Sequence, residues 1–110
     1  MLKILHFNDV YDIEERKPHS DTRVVAGAAR FITAMEQHGC QDKLVLFSGD
    51  LFGASSLSTH FKGEQMLEVF KRCNVSVSCL GNHDTDFGFA KMGDLIAKTQ
   101  VPWLMSNLYH

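Results

Sequence analysis

Short apolar runs alternate along this chain with segments of helical period, and that alternation narrows the fold more than any other feature. Leu2 to Asn8 is apolar and β-prone. Lys43 to Phe47, Val75 to Leu80 and Val101 to Met105 are similar runs, too short for helices. Between them, Val24, Val25, Ala28, Phe31, Ile32 and Met35 recur at helical spacing, and Gly39 stands where such a helix would stop. Met66, Leu67, Phe70 and Cys73 share one face over Glu64 to Arg72, and Phe89, Met92, Leu95 and Ile96 mark a third helix. The charged stretch Ile13 to Thr22, with Pro18 inside it, predicts a loop. The hydroxyl-rich stretch Ala54 to Phe61 predicts a loop or a short turn of helix. The order is therefore βαβαβαβ, an α/β fold with a mostly parallel sheet.

With 110 residues the chain is one domain at most, without internal repeat or linker. Its 11 basic and 13 acidic residues form no basic block, so it lacks the electrostatic footprint of a nucleic-acid or anionic-membrane binder. No apolar run approaches a membrane span. The N-terminal run is broken at once by His6, Asn8 and Asp9, unlike a secretory signal. Cys40, Cys73 and Cys79 are widely spaced with no CxxC pair, which predicts small buried apolar residues in a reducing compartment; the expected location is the cytoplasm.

In a parallel sheet, ligands bind beyond the carboxyl ends of the strands. Here the strand ends carry Asp9, Asp50, Asn82-His83-Asp84 and Asn107. A single Asp after a strand is most often a turn or cap residue. The coincidence of several, with a histidine between Asn82 and Asp84, points instead to metal chemistry. Carboxylates, an amide oxygen and imidazole suit hard or borderline divalent cations. Asp50 is the expected bridge between two ions, because its strand lies between the others. Asn82 supplies a neutral oxygen. His83 is the expected general acid or phosphate stabiliser, with Asp84 fixing its tautomer.

The stretches Ile4-Leu5-His6-Phe7-Asn8-Asp9-Val10, Gly49-Asp50, Lys62-Gly63-Glu64 and Gly81-Asn82-His83-Asp84, the last followed by Asp86-Phe87-Gly88, resemble the N-terminal part of a calcineurin-like metallophosphoesterase of the 5′-nucleotidase branch. The resemblance runs over essentially the whole chain. It implies an α/β/β/α sandwich of which residues 1–110 form an incomplete N-terminal portion. It also implies two divalent ions (Zn, Mn, Mg or Fe), with Asp9 on the first, Asp50 on both and Asn82 on the second, and catalytic roles for His83 and Asp84. The implied activity is hydrolysis of a phosphomonoester, a small phosphate ester or nucleotide, by metal-activated water.

Two departures qualify that expectation. The family has Asp-x-His at the first strand end, where this chain has Asp9-Val10-Tyr11, so Tyr11 is either a phenolate ligand or a packing or substrate-side residue. His6, three positions from Asp9, falls on the opposite strand face; His19 is loop-borne and within reach. The family's Gly-His-x-His segment is absent, which predicts weak metal binding and no turnover for these residues alone, and an uncovered sheet face that associates. The competing reading is a degenerate phosphoesterase-like binding module without catalysis. His38, His60 and His110 read as surface residues. P-loop, dinucleotide and nucleophile-elbow motifs are all absent.

Overall fold

The computed structural model describes residues 2–18, 22–38 and 42–107. Gly39, Cys40, His19 and His110, each given a role above, lie outside those residues. Strand β1 is Lys3–Phe7, followed by the two-residue strands β2 (Glu15–Arg16) and β3 (Val25–Ala26), helix α1 (Ala28–Gln37) and strand β4 (Lys43–Phe47). Helix α2 (Ser56–Phe61), a 3-10 turn over Glu64–Met66 and helix α3 (Leu67–Cys73) lead to strand β5 (Val77–Cys79). A second 3-10 turn over His83–Thr85, helix α4 (Phe89–Thr99) and strand β6 (Trp103–Leu104) complete the order.

The main sheet is parallel throughout, in the order β1-β4-β5-β6. Each new strand adds to the same edge. A right-handed crossover in one constant direction puts every connecting helix on the same side of a sheet. Register assigns Leu5, Phe7, Val45, Phe47, Ser78 and Trp103 to that helix-covered side. There Val45, Phe47, Phe52, Met66, Phe70 and Leu95 are almost fully buried. An aromatic row crosses the layer, Phe31 to Phe7 at 4.8 Å, Phe7 to Phe47 at 5.0 Å, Phe47 to Phe70 at 5.2 Å and Phe70 to Trp103 at 5.9 Å. Cys73 lies in this core, and burial pushes its thiol up to about 11. The opposite face carries Ile4, His6, Leu44, Leu46, Val77, Cys79 and Leu104 with no element of the described residues packed over it; Ile4 is 59% and Leu104 57% exposed. His6 Nε2 lies 2.8 Å from the Ser48 hydroxyl.

Local expectations are corrected or narrowed at three places. Val24 and Val25 do not open α1, which starts at Ala28. β-Branched residues favour extended backbone, and Val25–Ala26 instead pairs antiparallel with Glu15–Arg16. Positive φ at Ala26 (58°) and Gly27 (92°) then excludes a helix through that point. So the charged loop also holds a strand. Of the two alternatives for Ala54 to Phe61, the structure takes the helical turn, over Ser56–Phe61, closed by reciprocal bonds between Ser55 and Ser58. The segment from Glu64 begins as a 3-10 turn before α3.

Candidate metal and phosphate site

The site grows from the loops that leave the carboxyl ends of β1, β4 and β5. The β1–β4 ladder continues past both strands, with Asp9 N donating to Gly49 O at 3.1 Å and Val10 N to Asp50 O at 3.2 Å. That alignment brings Asp9 and Asp50 abreast. Both have left-handed backbone, at φ 56° and 64°, which aims their side chains out of the sheet end. Asp is among the few non-glycine residues that accept this region readily. The β5 loop then presses against them. A Cβ on Gly81 would lie 2.0 Å from Asp50 Oδ1, and one on Gly49 would lie 2.3 Å from Gly81 N. Only two residues without side chains pass at that separation.

Asp9 and Asp50 converge on one phenol. Tyr11 Oη lies 2.5 Å from Asp9 Oδ1 and 2.9 Å from Asp50 Oδ2. The two carboxylates oppose a third negative charge between them, so the Tyr11 hydroxyl is held well above its ordinary range, first by its bond to Asp9, then by desolvation and Asp50. Beside these two carboxylates alone, the phenol therefore favours its neutral form. The other oxygens are also engaged: Asn8 Nδ2 donates to Asp9 Oδ2, and His83 N donates to Asp50 Oδ1 at 2.8 Å. Asp50 is buried and Asp9 exposed. Asn82 sits between Gly81 and His83, its carbonyl accepting from Thr85 Oγ1 at 3.0 Å. Its amide makes no hydrogen bond to either carboxylate.

Asp84 is not the partner of His83. Its carboxylate turns inward, 1% exposed. Oδ1 accepts from Leu51 N at 2.7 Å and Phe52 N at 3.0 Å, and Oδ2 accepts from Asp50 N and Gly81 N, both at 2.9 Å. It clasps the β4 loop to the β5 loop. The partner of His83 is Asp86, whose Oδ2 accepts from Nδ1 at 2.9 Å. On a 3-10 turn, residues three apart lie above one another, which stacks Asp86 on His83 and turns Asp84 to the other side. Asp86 raises the His83 imidazole above 6.5, chiefly through this bond. With Nδ1 committed to Asp86, Nε2 is left to meet a ligand. The Tyr11 ring meets the His83 ring edge-on, centroids 5.9 Å apart and planes at 90°. The spacing His83-x-x-Asp86 on a turn was the available signal for Asp86.

The two carboxylates are hard oxygen donors. Asp9 and Asp50 meet closely enough to share one divalent cation between them. Among the described residues no group of three His, Cys, Asp or Glu side chains gathers at a single point, so Asp9 and Asp50 are a partial ligand set, and either cation would need further donors. Beside Asp9 and Tyr11 opens a cavity of about 530 Å³, walled by Phe7, Val10 and Phe31 and edged by Arg16 and Arg30. Arg16 pairs with Asp12, and Arg30 with Glu15 at 3.4 Å. No helix among the described residues is long and apolar enough to cross a membrane.

Residues 2–109 match the calcineurin-like phosphoesterase family. A 5′-nucleotidase of Mus musculus is 29% identical over 97% of this chain, which spans 20% of that protein. Among solved structures, a 5′-nucleotidase precursor from Thermus thermophilus superposes with a TM-score of 0.81 at 22% identity, covering 96% of this chain and 22% of that one. The Haemophilus influenzae NAD nucleotidase gives 0.78 at 26% identity, covering 96% and 20%. The chain thus spans about a fifth of the length of these proteins.

Proposed function

This chain belongs to the calcineurin-like phosphoesterase family, whose members hydrolyse phosphoric esters with divalent metals, and we propose that it is the N-terminal portion of the catalytic domain of a 5′-nucleotidase-like phosphomonoesterase. The observation that carries this reading is the meeting of Asp9 and Asp50 at one point, with the backbone of His83 locked to Asp50. Asp9, Asp50 and Asn82 would hold two divalent ions (Zn, Mn, Mg or Fe), Asp50 touching both, with the remaining ligands supplied from outside the described residues. When bound, such a pair neutralises phosphate oxygens and lowers the pKa of a coordinated water.

The chain's own residues supply the rest. Asp86 favours the protonated form of His83, and in that form Nε2–H faces a phosphate oxygen, where a positive donor stabilises developing charge or protonates the leaving oxygen. Asp84 acts at one remove, because its four amide bonds fix the loops that position Asp50 and His83. The substrate is a small phosphate ester or nucleotide.

The test is release of inorganic phosphate from a nucleoside monophosphate by the natural gene product, with Mn²⁺, Mg²⁺ or Zn²⁺ added after chelation. Metal-dependent turnover is expected, and Asp50→Asn is expected to abolish it. Full turnover by that variant would refute the assignment. A second reading, a phosphoesterase-like module that binds without turnover, is favoured by Tyr11 standing where the family has histidine; bound metal with no phosphate release from any ester would establish it.

A further inference from the structure

We propose that Tyr11 is a displaceable latch on the cation site: its hydroxyl ties Asp9 to Asp50 in the cation-free state and leaves when a divalent cation enters. This rests on the metal reading of Asp9 and Asp50 given above. The hydroxyl oxygen sits within hydrogen-bond reach of both carboxylates, at 2.5 and 2.9 Å. A cation joining those same oxygens would lie at about 2.0–2.6 Å from each. Hydroxyl and cation therefore compete for one space. The hydroxyl proton offers these carboxylates a partial positive charge where a cation would offer a full one.

The structure gives the ring somewhere to go. Tyr11 itself lines the cavity of about 530 Å³ that opens beside Asp9, and its neighbours there include Val10, Phe7 and Phe31, an apolar wall suited to an aromatic ring. Moving into it would undo the edge-on contact with His83. Occupancy of the cation site would then reach the proposed phosphate-facing imidazole through a single side chain. A cation that binds only the unlatched state has its apparent affinity lowered by the fraction of molecules in that state.

The alternative, Tyr11 as a metal ligand, makes the opposite prediction, so the sign of one measurement decides. Mn²⁺ and Mg²⁺ affinity would be measured by titration calorimetry on the natural gene product and on Tyr11→Phe. Hydrogen bonds to charged groups are strong enough that losing the latch should tighten cation binding about 10- to 100-fold. Equal or weaker binding by Tyr11→Phe overturns the latch. Tyr11→Leu removes the hydroxyl in a second way and should tighten binding in the same direction. A further readout is the nuclear Overhauser contact between the Tyr11 and His83 rings, expected to vanish on adding Mg²⁺; its persistence at saturation also overturns the latch. Asp9→Asn distinguishes the latch from the metal site beneath it. If that variant binds cations as the wild type does, the metal reading falls as well; if it loses binding while Tyr11→Phe fails to gain it, only the latch falls.

Discussion

Replacing Asp84 with asparagine changes one oxygen to an amide group of nearly the same shape, and the structure sets the size of the consequence. The carboxylate is 1% exposed and accepts four backbone N–H groups, two at each oxygen. Asparagine keeps one accepting oxygen. Whichever way it turns, its NH₂ faces two N–H donors, either Leu51 with Phe52 or Asp50 with Gly81. Two charge-assisted bonds are lost, each worth about 1.5–3 kcal/mol. The gain from no longer burying a charge offsets part of that. A net loss of about 3 kcal/mol remains, a large share of the roughly 5–15 kcal/mol that holds an ordinary domain folded. Urea unfolding followed by Trp103 emission measures it, because Trp103 is the only tryptophan and its ring stacks on Phe52 at 5.7 Å, one of the residues Asp84 holds. A loss below about 1 kcal/mol would show that the four-amide clasp is not what fixes these loops. A second consequence belongs to the site: since the Asp50 amide is one of the four, cation affinity should fall with stability.

Two further outcomes follow from the same structure. His83→Ala should lower turnover of the natural gene product by about 10²–10⁴-fold while sparing cation binding; Asp86→Asn should lower it less and bring the His83 imidazole back toward 6.5 in an NMR titration, from the raised value that Asp86 now sustains. Glu64 lies 2.5 Å from Lys91 and 3.6 Å from Lys98, and Lys91 first of all holds its carboxyl below 4.5. A carboxyl lowered on folding contributes stability above its unfolded value and loses it as pH falls through the folded value. Thermal midpoints of wild type and Glu64→Gln should therefore differ above pH 4.5 and converge in more acidic solution; a gap constant with pH would rule the ion pairs out as its source.

Much of this architecture can be read directly from the chain. β4 follows the apolar run Lys43–Phe47 residue for residue, a continuous apolar stretch of the kind written for a strand buried on both faces, although the described residues cover only one. The metal-competent strand ends are legible for the same reason: each apolar run stops where the backbone leaves the sheet. What is not legible depends on partners distant in sequence. Val25–Ala26 becomes a strand only because Glu15–Arg16 lies beside it. The choice between Asp84 and Asp86 as the partner of His83 turns on the pitch of one 3-10 turn, which places one carboxylate toward the backbone of residues 50–52 and the other toward the imidazole. Adjacency in sequence suggested Asp84; a spacing of three was the physical answer. Tyr11 could be read as a ligand or as a packing or substrate-side residue but not as a bridge, since its position between Asp9 and Asp50 arises from two loops meeting.

The left-handed backbone at Asp9 and Asp50 narrows what can be learned by mutation there. Glutamate would keep the charge, yet it fits that conformation poorly. Alanine removes the charge and adds a conformational cost of about 1 kcal/mol or more, so its effect mixes two causes. Asparagine shares aspartate's tolerance for the conformation. Asp9→Asn and Asp50→Asn therefore remove the charge without the backbone cost that alanine adds, leaving only the loss of one accepting oxygen beside it.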